Sequence, residues 1–414
     1  MFTEQEKSTV RELAWRYMEI AQAEDQQERI ARARAINDLT PGLRPTVWFD
    51  ELPWHELNAT GELTCTSETP FAREVETFLR RALFTRKYFD GDTVYPPYYP
   101  IRKTIHSSGI GIAIQDVTLA VDQQNNIVSH HYEDRLSTEE DLAKLRVPVI
   151  TTDPAADALR MEQAAELLGG ILPPRLTVLY FHFAPWDLIA ELRGAEPLLM
   201  DLFDRPEFMH RVMEKFTEIG LGVLEQYEAL GLLAFDQPSV HCTPAYTSAL
   251  PQPGFDGVHV RAKDIWFRGT AQIFSSVSPA MHEEFELVYM ARLFERCGLV
   301  YYGCCEPLDN KIHLLKRVPN MRKIGVSPWA KVARSAEQMG GGYVLSRKPN
   351  PAHVATRVDP AVVRAEIEET AKACLANGTP YEMVLKDIST AGYRLENLVL
   401  WEKTVRETLD RFYR

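Results

Sequence analysis

The feature that most constrains this chain is a regular alternation of short apolar runs with helix-like segments, which begins after Gly170. The apolar runs are rich in β-branched and aromatic residues. The segments between them carry apolar residues every three or four positions, as in Pro206 to Leu230, which predicts amphipathic helices. Ser278 followed by Pro279 is typical of a helix start. Strands that alternate with helices predict a parallel sheet with helices packed outside it.

Eight strands are predicted when one run near the amino terminus is included. They are Thr46–Asp50, Thr177–Phe183, Leu232–Asp236, Thr270–Ser275, Leu299–Gly303, Arg322–Ser327, Gly342–Ser346 and Tyr381–Lys386. Eight such units favour an α/β fold of the (β/α)8 TIM-barrel type. A barrel of this kind can use all 414 residues as a single domain.

Two segments fall outside the alternating pattern. Residues 1–40 are predicted to form an N-terminal helical extension, because Thr9 to Ala35 carries apolar residues at helical spacing. Residues 55–170 are irregular and include the Pro- and Tyr-rich stretch YPPYYP. We predict that they are an insertion after the first strand, which serves as a lid or as the surface of a homodimer.

Charge and composition limit the class of partner. The formal net charge is −12 and basic clusters are absent, so neither nucleic acid nor a membrane surface is expected as a partner. The amino terminus MFTEQEKSTVREL lacks the order of a signal peptide, and no run approaches the roughly 18 apolar residues of a membrane helix. We therefore predict a cytoplasmic protein with a small-molecule ligand. Its six scattered cysteines are expected to be free thiols.

Polar side chains follow the predicted strands at the ends where barrel enzymes carry their sites. Arg347 and Lys348 suit a substrate carboxylate or phosphate. A pocket built from these strand ends would be polar with aromatic walls. The predicted substrate-binding residues are Trp54, His182, Asp236, Trp329, Arg347 and Lys348.

The stretch GLVYYGCCEPL ends the fifth predicted strand with two adjacent cysteines and a glutamate. Because successive side chains of a strand point to opposite faces, Cys305 is predicted to face the barrel mouth together with Tyr301 and Gly303. Cys304 would then be a small buried filler. A thiolate at Cys305 can bind zinc, with carboxylate and imidazole ligands completing the shell.

Other candidates have a structural interpretation beside the functional one. His241 and Cys242 can supply metal ligands, although two adjacent ligands are awkward for one ion. Asp387 can be a metal ligand, a base or the salt partner of Lys386. Glu284 opens a helix, where an acid favours the helix dipole, and it can also turn into the pocket.

Several stretches together resemble the uroporphyrinogen decarboxylase superfamily, which includes zinc-dependent, cobalamin-linked methyltransferases. The broad resemblance lies in WDLIAELRGAEPLLMDLFDRPEFMHRVMEKFTEIGL, QIFSSVSPAMHEEFELVYMARLFERCGLVYYGCCEPL and NPAHVA. A narrower resemblance, to a decarboxylase-like subgroup without an assigned reaction, lies in YYGCCEPL, LPQPGFDG, VSPWA, SRKPNPA and LKDIST. The (β/α)8 barrel of the superfamily agrees with the strand count.

The resemblance implies a zinc site at the end of the fifth strand, where such methyltransferases carry His-x-Cys-Gly. Cys305 falls on the motif cysteine, whereas Gly303 replaces the histidine and Glu306 replaces the glycine. Asp387 stands where a second cysteine is expected. The implied zinc shell is Cys305 with oxygen ligands from Glu306, Asp387 or Glu284, or with a histidine from elsewhere.

The first strand departs from the decarboxylases themselves. Around Val47 to Trp54 the sequence VWFDELPW is acidic where the decarboxylase motif is rich in arginine. Asp50 and Glu51 would repel the acid arms of a porphyrinogen. Decarboxylation of a porphyrinogen is therefore not expected.

Three functions follow from these observations. The first is a zinc-dependent methyltransferase that moves a methyl group from an O- or N-methylated small molecule to a corrinoid protein or a thiol, with Cys305, Glu306, Asp387 and Lys386 as catalytic residues. The second is a metal-independent decarboxylase, in which Lys386 or Arg347 grips the carboxylate of an acid substrate and Asp387 or Glu306 protonates the carbanion. The third is a non-catalytic binder of a corrinoid or tetrapyrrole.

Overall fold

Seven parallel strands form the central sheet in a computed structural model that describes residues 2–119 and 129–413. They are β1 (Val47–Phe49), β2 (Phe181–His182), β3 (Trp266–Gly269), β4 (Leu299–Tyr302), β5 (Met321–Val326), β6 (Val344–Arg347) and β7 (Tyr381–Leu385). Their order across the sheet is β1-β7-β6-β5-β4-β3-β2, and every neighbouring pair is parallel. The sheet curls into a half-barrel, which confirms the predicted TIM-barrel-like α/β fold.

Two of the eight predicted strands are wrong. Leu232–Asp236 forms no strand, because β2 pairs directly with β3 and leaves no place for a strand between them. Thr270–Ser275 is replaced by a 3-10 helix at Gln272–Ser276, and the strand in this region begins earlier, at Trp266. The charged side chain of Arg268 interrupts the apolar pattern of that strand although it is only 2% exposed, and this hid the strand from sequence reasoning.

Helices cover the outer face of the curled sheet, where apolar side chains of both layers form the main core. A π-helix, Glu283–Leu287, joins two of the α-helices. The α-helices are Glu4–Ala21, Glu24–Asn37, Pro70–Tyr88, Glu139–Lys144, Pro154–Leu168, Pro185–Arg193, Ala195–Asp204, Pro206–Ala229, Pro279–His282, Val288–Phe294, Ile312–Leu315, Val332–Met339, Ala352–Ala355, Pro360–Asn377 and Leu395–Leu409.

The amino-terminal helices and the segment after β1 share an apolar cluster of their own. Helix Glu4–Ala21 packs against Pro70–Tyr88 and Pro154–Leu168. The predicted extension and the predicted insertion are thus joined by packing. Residues 120–128 of that insertion lie outside the described residues, and its role as a lid or a dimer surface stays a prediction.

Four two-stranded pairings lie outside the central sheet. They are Tyr99–Arg102 with Pro174–Thr177, Ile105–Ser107 with Ile150–Thr152, Asp116–Leu119 with Ser129–Tyr132, and Ser239–Val240 with Thr243–Pro244. Within the described ranges, no helix has both the length and the apolar character that crossing a bilayer requires.

Candidate active site

The two adjacent cysteines lie in a turn that directly follows β4. The strand ends at Tyr302, and Gly303 has a φ of 94°, a conformation that side chains rarely allow. A Cβ atom at Gly303 would also lie 2.5 Å from Leu308 Cδ1. Because the chain has left the strand here, the alternation of faces does not apply, and the sulfurs of Cys304 and Cys305 lie 3.5 Å apart. The expectation that the two thiols face opposite ways is therefore wrong.

The ammonium group of Lys386 lies close to a sulfur, an imidazole nitrogen and two carboxylate oxygens, which come from separate segments of the chain. Its Nζ is 3.1 Å from Cys304 Sγ and 3.3 Å from His241 Nε2. It is also 3.3 Å from Asp387 Oδ1 and 3.4 Å from Glu51 Oε2. Lys386 directly follows β7 and its side chain is 2% exposed, so the ammonium is fixed inside the mouth of the half-barrel.

Cys305 and Asp387 form the more open side of the cluster. The Cys305 thiol donates to Asp387 Oδ2 at 3.0 Å, and the Asp387 N–H donates to Glu51 Oε2 at 3.3 Å. Asp387 and Glu51 have φ values of 56° and 52°, which are uncommon for residues that carry a side chain. Such backbone conformations concentrate at functional sites, because the surrounding structure has to hold them in place.

His241 enters the cluster from a tight turn between the short strands Ser239–Val240 and Thr243–Pro244. Its Nε2 lies 3.5 Å from Cys304 Sγ, and its Nδ1 lies 3.3 Å from the Tyr180 hydroxyl. Burial lowers the pKa of His241. The ring is therefore mostly neutral at pH 7.

Glu306 accepts hydrogen bonds that fix the turn containing Cys304 and Cys305. The carboxylate is fully buried and accepts hydrogen bonds from the Thr270 hydroxyl at 2.7 Å and from the Cys304 N–H at 2.9 Å. Its oxygens are thus directed at the backbone of the turn and away from the Cys305–Asp387 contact. This placement does not support the predicted role of Glu306 as a metal ligand and makes it a positioning residue.

The two neighbouring thiols differ in protonation. Contact with the Cys305 sulfur is the main cause that lowers the pKa of Cys304 below the usual thiol range, with further contributions from His241, Lys386 and buried Arg268, against the opposing effect of burial. The same contact raises the pKa of Cys305, as do its burial and its hydrogen bond to negatively charged Asp387. The geometry favours the same assignment, because the Cys304 sulfur contacts the Lys386 ammonium whereas the Cys305 thiol donates to the Asp387 carboxylate. Of the two thiols, Cys304 is therefore the one that loses its proton more readily.

The carboxylates at the end of β1 are protonated more readily than usual. Partial burial, a hydrogen bond that the protonated carboxyl gives to the Asp387 side chain, and the nearby negative charges of Asp387 and Asp50 raise the pKa of Glu51 to about 8. Burial also raises the pKa of Asp50. Glu51 therefore carries a proton at neutral pH and can donate it.

A cavity of 1220 Å³ opens beside this cluster, between the two edge strands of the sheet. It meets the cluster at Glu51 and His241. Aromatic residues from β1, from the predicted extension, from the predicted insertion and from the segments just after β1 and just before β2 form much of the wall. They include Tyr17, Phe49, Trp54, Phe78, Tyr95, Tyr98 and Tyr180.

Three of the predicted substrate-binding residues lie at or beside this cavity. Trp54 is part of the wall, and the guanidinium of Arg81 lies 4.8 Å from its ring centroid. Asp236 is also part of the wall and forms an ion pair with Arg175. His182 Nδ1 donates to the carbonyl oxygen of Arg268 at 3.1 Å, and burial lowers the pKa of His182 to about 4.

The other three predicted substrate-binding residues, Lys348, Arg347 and Trp329, do not line the cavity. The Lys348 ammonium is buried and donates to the Tyr301 hydroxyl at 2.7 Å. Arg347 donates to the carbonyl oxygen of Ser327 and to Glu366. Trp329 is 70% exposed and does not line the cavity. Their predicted contacts with a substrate are not supported by these positions.

The predicted zinc ligands do not assemble into one shell. Glu284 lies on the outer helix layer, where its Oε1 is 3.3 Å from His210 Nε2, and Glu306 faces the turn as described above. Over residues 2–119 and 129–413, no three His, Cys, Asp or Glu side chains are arranged to hold a metal ion. The space between Cys304 and Asp387 holds the Lys386 ammonium instead. The predicted shell does not fit zinc.

Sequence reasoning missed three functional side chains. Cys304 was taken for filler, because the prediction extended the strand by one residue beyond its end. Tyr180 and Arg268 were not selected, although a single arginine inside the apolar run WFRG is a signal that a search for buried charge would find. The Nε atom of Arg268 is buried and has no hydrogen-bond partner among the described residues.

Known proteins similar to this chain include one protein family and one solved structure. A family model described as uroporphyrinogen decarboxylase (URO-D) matches residues 102–232, which include the later part of the predicted insertion. Among solved structures, a methyltransferase from Methanosarcina mazei superposes with a TM-score of 0.50 at 11% sequence identity. That superposition covers 93% of this chain and 99% of the other. A search of curated proteins finds no match.

Proposed function

We propose, on the premise that this chain is a member of the uroporphyrinogen decarboxylase-like superfamily, that it is a methyltransferase. It would take a methyl group from an O- or N-methylated small molecule and pass it to a thiol or to a corrinoid protein. The observation that carries the proposal is the position of the Cys304 sulfur, which contacts the Lys386 ammonium and the His241 ring beside a cavity of 1220 Å³. The family match and the methyltransferase among the similar structures support the same type of reaction.

The first half of the reaction uses Cys304 as the nucleophile. A thiolate is strongly nucleophilic toward an activated methyl carbon. The bond between Cys304 Sγ and the methyl carbon forms as the bond from that carbon to oxygen or nitrogen breaks, and the electron pair leaves with the oxygen or nitrogen. Glu51, which is protonated at neutral pH, supplies the proton that the leaving group takes up.

The second half of the reaction returns Cys304 to its thiolate form. The acceptor, a deprotonated thiol or a reduced corrinoid on a partner protein, attacks the methyl carbon, and the bond to Cys304 Sγ breaks. The sulfur keeps the electron pair and becomes a thiolate again. The contacts with Lys386 at 3.1 Å and His241 at 3.5 Å stabilise the charge that develops on this sulfur.

The cavity favours a flat substrate that also carries an acid group. Its aromatic wall, with Trp54 held by Arg81, suits the face of a methylated ring. Arg102 and Lys103, which also line the cavity, are cations that can bind the acid group of such a substrate. The decarboxylase alternative loses one of its two candidates for gripping the carboxylate, because Arg347 donates to the Ser327 carbonyl oxygen and to Glu366.

The test is a single-turnover experiment with methyl-labelled donors. Wild-type protein without an acceptor is mixed with methoxylated and N-methylated aromatic acids, and the digested peptides are analysed by mass spectrometry. We expect one labelled methyl group on Cys304 together with demethylated donor, and neither in Cys304→Ser. Cys65→Ser, which changes a thiol outside the cluster, serves as the matched control. Demethylation that is undiminished in Cys304→Ser, or release of carbon dioxide without methyl transfer, would contradict the proposal.

A further inference from the structure

The Lys386 ammonium contacts donor atoms of the kind that bind metals. A sulfur, an imidazole nitrogen and two carboxylate oxygens surround Nζ at 3.1 to 3.4 Å. They come from the ends of β1, β4 and β7 and from the turn at His241, so that separate parts of the fold converge on one point. Imidazole, thiolate and carboxylate are the ligands that zinc prefers in proteins.

Other buried lysines of this barrel have different surroundings. Lys323 donates to Thr243, Pro244 and Glu382, and Lys348 donates to Tyr301 and Ser346. All of these acceptors are oxygen atoms, as expected of lysines that stabilise an interior. Lys386 differs because it lies against a sulfur and an imidazole.

We propose that the Lys386 ammonium is a built-in cation which takes the place of a metal ion in this site, so that the protein works without zinc. The positive charge that stabilises a thiolate at Cys304 is then part of the chain itself, on the side chain of the residue that directly follows β7. This inference goes beyond the proposed function, because it concerns the identity of the cation and holds for any group that the site transfers.

The geometry makes lysine and metal mutually exclusive. A divalent ion bound to Cys304 and Asp387 would contact the same atoms that now contact Nζ. It would therefore lie close to the Lys386 ammonium, and the two positive charges would repel each other. The Lys386 side chain is 2% exposed, so the ammonium cannot leave for solvent without displacing the side chains packed around it. As they stand, His241, Cys304, Cys305 and Asp387 are not arranged to hold a metal ion. Once the ammonium is removed, they should be able to close around a zinc ion.

The experiment compares zinc binding by four forms of the full chain under reducing conditions. Wild type, Lys386→Met, Lys386→Arg and the double variant Lys386→Met/Cys304→Ser are titrated with zinc, and the bound metal is counted by mass spectrometry after dialysis. Cobalt is titrated in parallel, because thiolate coordination gives cobalt a sulfur-to-metal absorption band.

We expect wild type and Lys386→Arg to retain no stoichiometric metal. Lys386→Met should bind one ion per chain, on the order of 100-fold or more tightly than wild type, with the cobalt–thiolate band. The double variant Lys386→Met/Cys304→Ser should lose both the tight metal binding and the cobalt–thiolate band. Stoichiometric zinc in wild type, or no gain in folded Lys386→Met, would overturn the inference.

A second measurement on wild type alone keeps the inference testable if Lys386→Met does not fold. Cys304 should react with a small alkylating agent at the same rate after chelator treatment and after addition of zinc. Protection of Cys304 by zinc would overturn the inference. Neither measurement involves methyl transfer, so its outcome is independent of the outcome of the single-turnover test.

Discussion

Replacing Lys386 with methionine removes the positive charge nearest to Cys304 while keeping a side chain of similar length. At the 3.1 Å between Nζ and Sγ, and with an effective dielectric constant of about 20, the attraction between the two charges is about 5 kcal/mol. One pKa unit corresponds to about 1.4 kcal/mol, which sets an upper limit of about 4 units on the shift. His241, Cys305 and Arg268 still lower the pKa of Cys304 in this variant. We therefore expect the pKa of Cys304 to rise by about 2 units or more.

The assay follows the ultraviolet absorbance of the thiolate as pH is varied. Subtracting the titration of Cys304→Ser isolates the signal of Cys304 in wild type, and the double variant Lys386→Met/Cys304→Ser does the same for Lys386→Met. Lys386→Arg retains the charge and is the matched control, with an expected pKa close to that of wild type. An unchanged pKa in Lys386→Met, with the fold intact by circular dichroism, would refute the reasoning that the ammonium stabilises the thiolate.

Three further predictions concern the surrounding residues. Gly303→Ala should reduce the free energy of unfolding by about 1 to 3 kcal/mol in chemical denaturation, because of the positive φ and the close leucine side chain, whereas Gly342→Ala, with open space around it, should change it little. The pKa of Glu51 is raised from 4.5 to about 8, so the folded state binds a proton that the unfolded chain has lost, and the free energy of unfolding falls as the pH rises between these two values. Glu51→Gln should reduce this fall. An unchanged pH profile of unfolding would contradict the raised pKa of Glu51. Glu284→Gln should leave methyl transfer unchanged, because Glu284 contacts His210 on the outer layer; loss of methyl transfer would reinstate a role for Glu284 in the site.

The sequence predicts the architecture better than the positions of individual strands. The predicted strands Arg322–Ser327 and Tyr381–Lys386 match β5 and β7, whose second halves, Ile324–Val326 and Met383–Leu385, are buried runs without a charged residue. β3 was misplaced since Arg268 breaks its apolar pattern. Leu232–Asp236 has the composition of a strand but lies beside the pairing of β2 with β3, which is a tertiary feature that local composition does not encode.

At the site, the sequence indicated which strand ends carry the clustered side chains, but not the direction in which each of these side chains points. The ends of β4 and β7 were predicted to carry the chemistry, and the structure brings Cys305, Asp387 and Lys386 together there. The choice of Cys305 over Cys304 as the inward thiol assumed that the strand continued through Gly303, whose φ of 94° ends it. The contacts of the Lys386 ammonium depend on four separate segments, so no local pattern could predict them.

The protonation state of each thiol of the pair can be measured directly by NMR with cysteine labelled at Cβ, since the Cβ chemical shift differs between thiol and thiolate. Cys304→Ser and Cys305→Ser assign the two signals, and the method does not depend on how accessible either sulfur is. At neutral pH in metal-free protein, Cys304 is predicted to be a thiolate and Cys305 a thiol. A neutral Cys304 beside the Lys386 ammonium, or a thiolate at Cys305, would contradict the central claim.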